Sequence, residues 1–325
     1  MSVATDFQVT YTVDVDRVAQ HLATRHNDLR DFIATLLEDG DGATSLLAYF
    51  AKRAHYLAAS RQDLLPLLIY ETVGERPYQE ILPLTAAWAL QLAASHLLDE
   101  VQDTTLPKTA SWCEQVSTAV LALGAANIAL AQQQIGREHL PEIIAAMGEI
   151  TVTGIVAQQD ELRRSGTWAT SWATSWSKED YFYNIASKSA AIIATGIWLG
   201  AILTVVDEQS VTMLQEFGLA LGMAMQIADD CLDLAEDLEH GTHTLAVIEG
   251  LALTAHPEQA TLCQMLKQQP LSPGESEAIV AILERMGVVS ACRRVARAYQ
   301  VQAAAALNPF PNLIPLFSDY VTVEA

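Results

Sequence analysis

Basic residues are scarce in this 325-residue chain: 18 Lys and Arg stand against 39 Asp and Glu, giving a net charge of −21 at pH 7. Such a surface repels phosphate backbones and anionic lipid, which excludes a nucleic-acid-binding protein and a polybasic membrane anchor. Cysteine is equally sparse. Cys113, Cys231, Cys263 and Cys292 lie far apart and form neither a CxxC nor a Cys/His metal spacing, so the expectation is free thiols in a reducing cytoplasm. No basic start followed by an apolar core marks a secretory signal at the N-terminus. The uncharged run 190–206 carries two threonines and two glycines and is slightly short for a membrane span. A buried bundle helix and no stable membrane insertion are expected there. Strand-like alternation is confined to residues near 7–15.

What is present is helix. Charged residues are 18% of the chain and hydrophobic ones 51%, which excludes disorder and leaves ample material for a core. Residues 16–38 and 43–59 place apolar side chains at spacings of three and four, as amphipathic helices do. The stretches 115–134, 183–206 and 211–234 are apolar on nearly every side, which places them at the centre of a large bundle. Breakers separate these runs, among them Gly40, Pro77, Pro107, Pro141, Gly166, Gly241 and Pro257. No composition shift marks a linker. The expected architecture is all-α: a tail over 1–15, then one helical bundle over 16–325 around a deep central cavity. Trp168, Trp172 and Trp176 recur every four residues and form one stripe on a helix. Packing against a neighbouring helix is the leading reading of that stripe, and an aromatic-lined lid is the other.

Two acidic clusters sit at the ends of apolar helices: Asp99, Glu100 and Asp103, then Asp229, Asp230 and Asp233. In each, the first and last acids are four residues apart, so they share one helical face. No Lys or Arg stands three or four residues away to offset their repulsion, and acids at a helix C-terminus oppose the macrodipole. Local rules broken twice in the same way point to a bound cation. Carboxylates without histidine or thiolate partners suit Mg²⁺ before Zn²⁺.

The stretch 217–233, which ends Gln226-Ile-Ala-Asp229-Asp230-Cys-Leu-Asp233, resembles the second aspartate-rich motif of the trans-isoprenyl diphosphate synthases. Residues 82–103 are similar to the helix that leads into their first. Lys188 and Ser189 resemble the family's Lys-Thr pair at the diphosphate, and Gln158 and Gln226 match two family glutamines. The resemblance spans roughly residues 45–305. It implies an isoprenoid-synthase bundle, a homodimer, and ionisation of an allylic prenyl diphosphate with Mg²⁺, three ions per active site when substrate is bound. Asp99, Asp103 and Asp229 are then the catalytic aspartates. Asp99, Glu100, Asp103, Asp229, Asp230 and Asp233 hold the metal, and Lys188 and Gln226 hold the diphosphate.

Departures from the family pattern are specific. Condensing members carry Gly-Lys-Arg-x-Arg-Pro where this chain has Arg61-Gln62-Asp63-Leu64-Leu65-Pro66. Their Arg-Arg pair after the first motif is Lys108 and Thr109 here, and a later Lys is Thr242. Cations for a second diphosphate are therefore largely missing, and each charge-assisted contact is worth about 1.5–3 kcal/mol. An allylic cation formed without a condensing partner rearranges, loses a proton or captures water, which is class I terpene synthase chemistry. Ala94 and Ser95, five and four residues before the first motif, are small, so the pocket is deep enough for a C20 chain, linear or bicyclic. His96, Gln158, Trp88, Tyr181 and Trp198 complete the expected pocket wall, and Tyr183 is a further aromatic candidate. Two alternatives stay open: a condensing synthase that uses Arg53, Arg61 and Lys108 instead, and a silent partner subunit.

Overall fold

The computed structural model of this chain describes residues 14–37, 40–103, 110–164, 176–204, 207–268 and 270–321. Among them are fifteen α-helices and no strand. They are α1 (Val15–Leu36), α2 (Asp41–Arg53), α3 (Leu57–Gly74), α4 (Leu82–Asp103), α5 (Ala110–Gln132), α6 (Leu140–Arg164), α7 (Lys178–Ile185) and α8 (Ala191–Ala201). They continue with α9 (Glu208–Leu232), α10 (Leu234–His240), α11 (Leu245–Ala252), α12 (Gln259–Leu266), α13 (Pro273–Arg285), α14 (Val288–Ala306) and α15 (Ile314–Val321). A π-helical turn, Ala186–Ala190, joins α7 to α8.

The all-α expectation holds, with one break in an expected helix. The run 43–59 divides at residues 54–56, where Tyr56 turns extended and α3 begins. That turn brings Arg53, the last residue of α2, back onto α3. The expected tail and strand-like stretch fall on residues 1–13, outside the described residues, apart from their end. There Asp14 caps α1 by accepting from the backbone N–H of Arg17 at 3.1 Å.

Helix α4 is the hub. It packs on α3 and α5, while α9 packs on α8 and α14 and α8 packs on α3. One hydrophobic cluster gathers α1 to α5, α8 and the first half of α9, with Trp88, Tyr70, Phe50 and Phe217 fully buried in it. A second cluster gathers α7, the end of α9 and α10 to α14. The two clusters meet along α9, whose C-terminal turns carry the second acidic motif.

Close approach at α8 depends on glycine. A methyl group at Gly200 would lie 2.3 Å from the Pro66 carbonyl oxygen, and one at Gly196 within 2.9 Å of the Trp88 ring and Leu65. On the other side, a methyl group at Gly218 or Gly222 of α9 would lie 2.6 Å from Ala194 Cα or 2.5 Å from Ala190 Cα. Helix α8 and its π turn are thus clamped between α3 and α9 at backbone-to-backbone distance. Pro66 stands inside α3, where its missing N–H orphans the Gln62 carbonyl. The Trp88 indole N–H donates to that carbonyl at 2.9 Å and tethers α4 to α3.

Candidate active site

A cavity of about 960 Å³ opens between α2, α4, α5, α6, α9 and the π turn. Its walls are largely apolar, with Trp88, Leu92, Ala94, Leu98 and Ile192 among them. At its mouth stand Asp99 and Glu100 from α4, Asp229 from α9, Asp233 at the joint between α9 and α10, and Asp237 from α10. The spacing of four at 229 and 233 turns both carboxylates to one side, as expected from the sequence. Helix α4 extends through Asp103, the last acid of the first cluster. Glu100 accepts from Gln115 at 3.1 Å and so leans toward α5.

Asp230 points elsewhere. It lines a second cavity of about 600 Å³ next to the first, shared with Glu161, Tyr181, His240 and His243. Both of its oxygens are held: Tyr181 donates to Oδ2 at 2.5 Å, and Gln226 donates to Oδ1 at 2.8 Å. Ser189 in turn donates to Gln226 Oε1 at 2.6 Å. The Gln226 amide, expected at a diphosphate, therefore fixes Asp230 and the π turn. Burial pushes the Asp230 carboxyl up to about 6 despite these donors.

Lys188 projects from the π turn into both cavities. Such bulges re-aim a side chain that a regular helix would place differently. Its ammonium lies 3.1 Å from Glu161 and 3.8 Å from Asp99, bridging α6 to the first acidic wall. Glu161 is a site residue that the sequence motifs do not mark. A signal for it exists, since it stands one turn after Gln158 on the same face of α6. Asp237 is another. Burial, then the charges of Asp230, Asp233 and Glu161, push its carboxyl up to about 8. Only the tertiary fold brings these acids together.

Of the other pocket residues, Ala94, Ser95, His96, Trp88 and Gln158 line the main cavity and Tyr181 the second. Trp198 does not. It packs against the main hydrophobic cluster, because a position five or six residues from Ile192 and Ile193 faces away from the cavity they line. Tyr183 is 76% exposed and lines neither cavity. Trp168, Trp172, Lys108 and Thr109 lie outside the described residues. Trp176 is buried and stacks on His243 with centroids 6.1 Å apart.

On the side of the cavity that corresponds to the second-diphosphate motif, Lys52, Arg53 and Gln62 line the wall, and carboxylates engage the arginines. Asp63 is fully buried and accepts two bonds from Arg53 Nε and Nη2 at 2.9 Å, with His26 Nε2 at 3.1 Å on Oδ2. Leu65 is buried in the core. Arg61 binds Asp319 at 2.7 Å and lies over the Tyr320 ring.

As a receptor for a cation, the mouth offers carboxylate oxygens only, the donor set of a hard divalent ion. Among the described residues no three such groups converge tightly enough to hold an ion by themselves. Opposed carboxylate walls of this kind leave coordination positions for phosphate oxygens.

A polyprenyl synthetase family model matches residues 59–283, over two thirds of the chain. The chain is 26% identical to a geranylgeranyl diphosphate synthase of Sulfolobus acidocaldarius over 142 residues, 40% of this chain and 43% of that protein. It is 26% identical to a probable mitochondrial hexaprenyl pyrophosphate synthase of Yarrowia lipolytica over 268 residues, 77% of this chain and 56% of that protein. These curated relatives are thus matched over about half of their length or less. Among solved structures, geranylgeranyl pyrophosphate synthetase from Pyrococcus horikoshii superposes with a TM-score of 0.78 at 18% identity, covering 95% of this chain and 99% of that one. A polyprenyl synthase from Caulobacter crescentus, solved with calcium and isoprenyl diphosphate, gives 0.76 at 22% identity over 96% and 99%. These two carry the fold. The two acidic motifs, the π-turn lysine and the extent of the family match converge on one conclusion: the chain belongs to the polyprenyl synthetase family.

Proposed function

We propose that this protein is an Mg²⁺-dependent enzyme that ionises an allylic prenyl diphosphate in the 960 Å³ cavity and releases diphosphate without condensing it with a second one. The substrate class is a C20 diphosphate, geranylgeranyl diphosphate or a bicyclic one such as kolavenyl diphosphate. The product is a diterpene alcohol or hydrocarbon, formed by water capture or deprotonation. Asp99, Asp103, Asp229 and Asp233 are the residues assigned to the metal, with Glu100 at the edge and Asp230 bracing α9 from behind. When bound, the ions offset the charge of the departing diphosphate. Lys188 is placed to exchange its carboxylate partners for diphosphate oxygens. Apolar walls keep bulk water from the cation.

The observation that carries this reading is that the second-diphosphate side lacks the motif's basic residues and holds its arginines in ion pairs. Asp63 and Leu65 occupy positions where condensing members carry arginine, and Arg53 and Arg61 are already bound by Asp63 and Asp319. A silent partner subunit is the least supported reading, since all six acids are retained.

A condensing synthase is the second reading, and the relatives' names support it more directly than they support the first. Lys52 and Arg53 line the cavity and are the cations it would use. One assay separates the readings: Mg²⁺ with C10, C15, C20 or kolavenyl diphosphate, with and without isopentenyl diphosphate, products read by gas chromatography–mass spectrometry. Alcohol or hydrocarbon formed without isopentenyl diphosphate is expected. A longer prenyl diphosphate made only in its presence establishes the second reading and overturns the first.

A homodimer in the cytoplasm completes the proposal. Val120 and Ile128 of α5 and Ile144, Val152 and Val156 of α6 are each more than half exposed, an apolar face without a partner in the single chain. Helices α4, α5, α6 and α9 are long and apolar enough to cross a membrane by length and composition. The α4 segment is mostly buried inside the bundle, and the α6 segment is mostly exposed on this face.

A further inference from the structure

The main cavity has a polar station far from its carboxylates in character, although close to them in sequence. Tyr49 and Arg53 of α2 meet His96 of α4 on the cavity wall. Tyr49 Oη lies 2.8 Å from His96 Nδ1, and Arg53 Nη1 lies 3.3 Å from the same nitrogen. A guanidinium can only donate, so Nδ1 is the acceptor and the ring hydrogen resides on Nε2. With Nδ1 engaged toward α2, Nε2–H is the ring nitrogen left to the cavity.

The chain of contacts continues behind the wall. Arg53 donates to Asp63, and Asp63 is fully buried against His26. The guanidinium and carboxylate form an ion pair of no net charge, with the guanidinium the member nearer to His96. Burial and the nearby Arg53 hold the His96 imidazole down at about 4, so it is neutral at physiological pH. The station therefore presents an N–H donor with no net charge.

Those properties suit one task next to a carbocation. An imidazolium would repel the cation, and a bare imidazole lone pair would be alkylated by it. Here the lone pair is turned away and covered by Tyr49 and Arg53. What remains is a hydrogen that can only be given to a lone pair, and water is the lone-pair donor small enough to share a cavity with a prenyl chain. His96 stands three residues before Asp99, so the two are neighbours on the same face of α4, about 5–6 Å apart at Cβ.

We infer that His96 is a positioning residue for the quenching water, and that the reaction ends in an alcohol rather than a hydrocarbon. This inference rests on the non-condensing reading above. The allylic C–O bond breaks with its electron pair leaving on diphosphate. A water accepting from Nε2–H uses its other lone pair to form the new C–O bond. The resulting oxonium gives its proton to the released diphosphate, which sits one helical turn away beside Asp99. The net reaction is allylic diphosphate plus water to alcohol plus hydrogen diphosphate.

The test is the product partition of the full-length enzyme in H₂¹⁸O with the C20 diphosphates, for wild type, His96→Leu, His96→Gln and Tyr49→Phe. Wild type is expected to give alcohol carrying ¹⁸O. His96→Leu is expected to lower the alcohol-to-hydrocarbon ratio about two- to tenfold, the worth of one neutral hydrogen bond, while diphosphate is still released. His96→Gln, whose amide can place an N–H near the same point, is expected to restore most of the ratio. Tyr49→Phe keeps the ring packing and loosens the imidazole, so it is expected to fall between. An unchanged ratio in His96→Leu overturns the inference. So does a wild type that yields hydrocarbon alone, which leaves the non-condensing reading standing. Elongation by wild type only with isopentenyl diphosphate overturns both.

Discussion

Trp88 shows how a single side chain can answer a backbone defect elsewhere. Pro66 leaves the Gln62 carbonyl without its helical partner, and the indole N–H of Trp88 supplies one across the α3–α4 contact. Trp88→Phe keeps most of the ring volume and removes the donor. It is expected to destabilise the protein by about 1–3 kcal/mol, the cost of a buried unsatisfied carbonyl, read as a lower urea midpoint at unchanged slope. Asp237 makes a second residue-scale prediction. Its carboxyl, pushed up to about 8, carries a proton at pH 7 in the metal-free protein. A pKa raised in the folded state stabilises most fully below the unfolded value of 3.8, and that stability is lost as pH rises through about 8. Divalent cations favour the ionised carboxylate, so Mg²⁺ is expected to bind more tightly at pH 8.5 than at pH 6.5 and to release protons. Calorimetry in two buffers of different ionisation enthalpy measures that release, and Asp237→Asn is expected to reduce it. At this scale the sequence is readable where function imposes a spacing, as at Asp99 and Asp229. It is silent where a partner comes from another helix: Glu161 beside Lys188, Asp237 beside Asp230, Tyr49 beside His96.

The element that sets the site is the π turn between α7 and α8. Its five residues carry Lys188 and Ser189, and it is pressed against α9 at Gly222 and held by the bond from Ser189 to Gln226. A methyl group at Gly222 would lie 2.5 Å from Ala190 Cα, which is backbone and cannot swing aside. Gly222→Ala is expected to cost about 1–3 kcal/mol by overpacking and to lower activity through displacement of Lys188. Thermal melting followed by circular dichroism checks the first, and steady-state turnover at saturating substrate the second. A methyl group at Gly154 of α6 would meet nothing within 4 Å, which makes that position the helix-glycine comparison; Gly154→Ala is expected to leave the melting temperature unchanged or slightly raised. Apolar content locates α5 and α9 as helices. It also places 115–134 at the bundle's centre, whereas α5 keeps Val120 and Ile128 exposed because only one of its faces packs on the bundle. It cannot show the π turn, because one extra residue in a turn leaves the composition unchanged, and it joins α2 to α3 because both sides of the break are equally apolar.

For the whole molecule, the exposed face on α5 and α6 is the clearest unfinished surface. Two copies burying Val152 and Val156 against each other would remove it from water, and light scattering at micromolar concentration is expected to give twice the chain mass of 35.3 kDa. Val156→Asp is expected to shift the protein toward monomer. The net charge of −21 belongs to this scale as well. Part of it is gathered at the cavity mouth, in Asp99, Glu100, Asp229, Asp233 and Asp237.

The sequence by itself determined the helical class, the bundle's apolar centre and the two carboxylate pairs. Each of these is a periodicity within one helix, fixed by 3.6 residues per turn. The tertiary structure decided which carboxylates share a cavity, that Asp230 braces α9 while Asp229 and Asp233 face the mouth, and that Trp198 belongs to the core. It also decided that Arg53 pairs with Asp63 and that Tyr49 and Arg53 together engage His96 Nδ1. Those outcomes depend on how close one helix lies to the next, and in this fold that distance is set by glycines, a proline and a π turn.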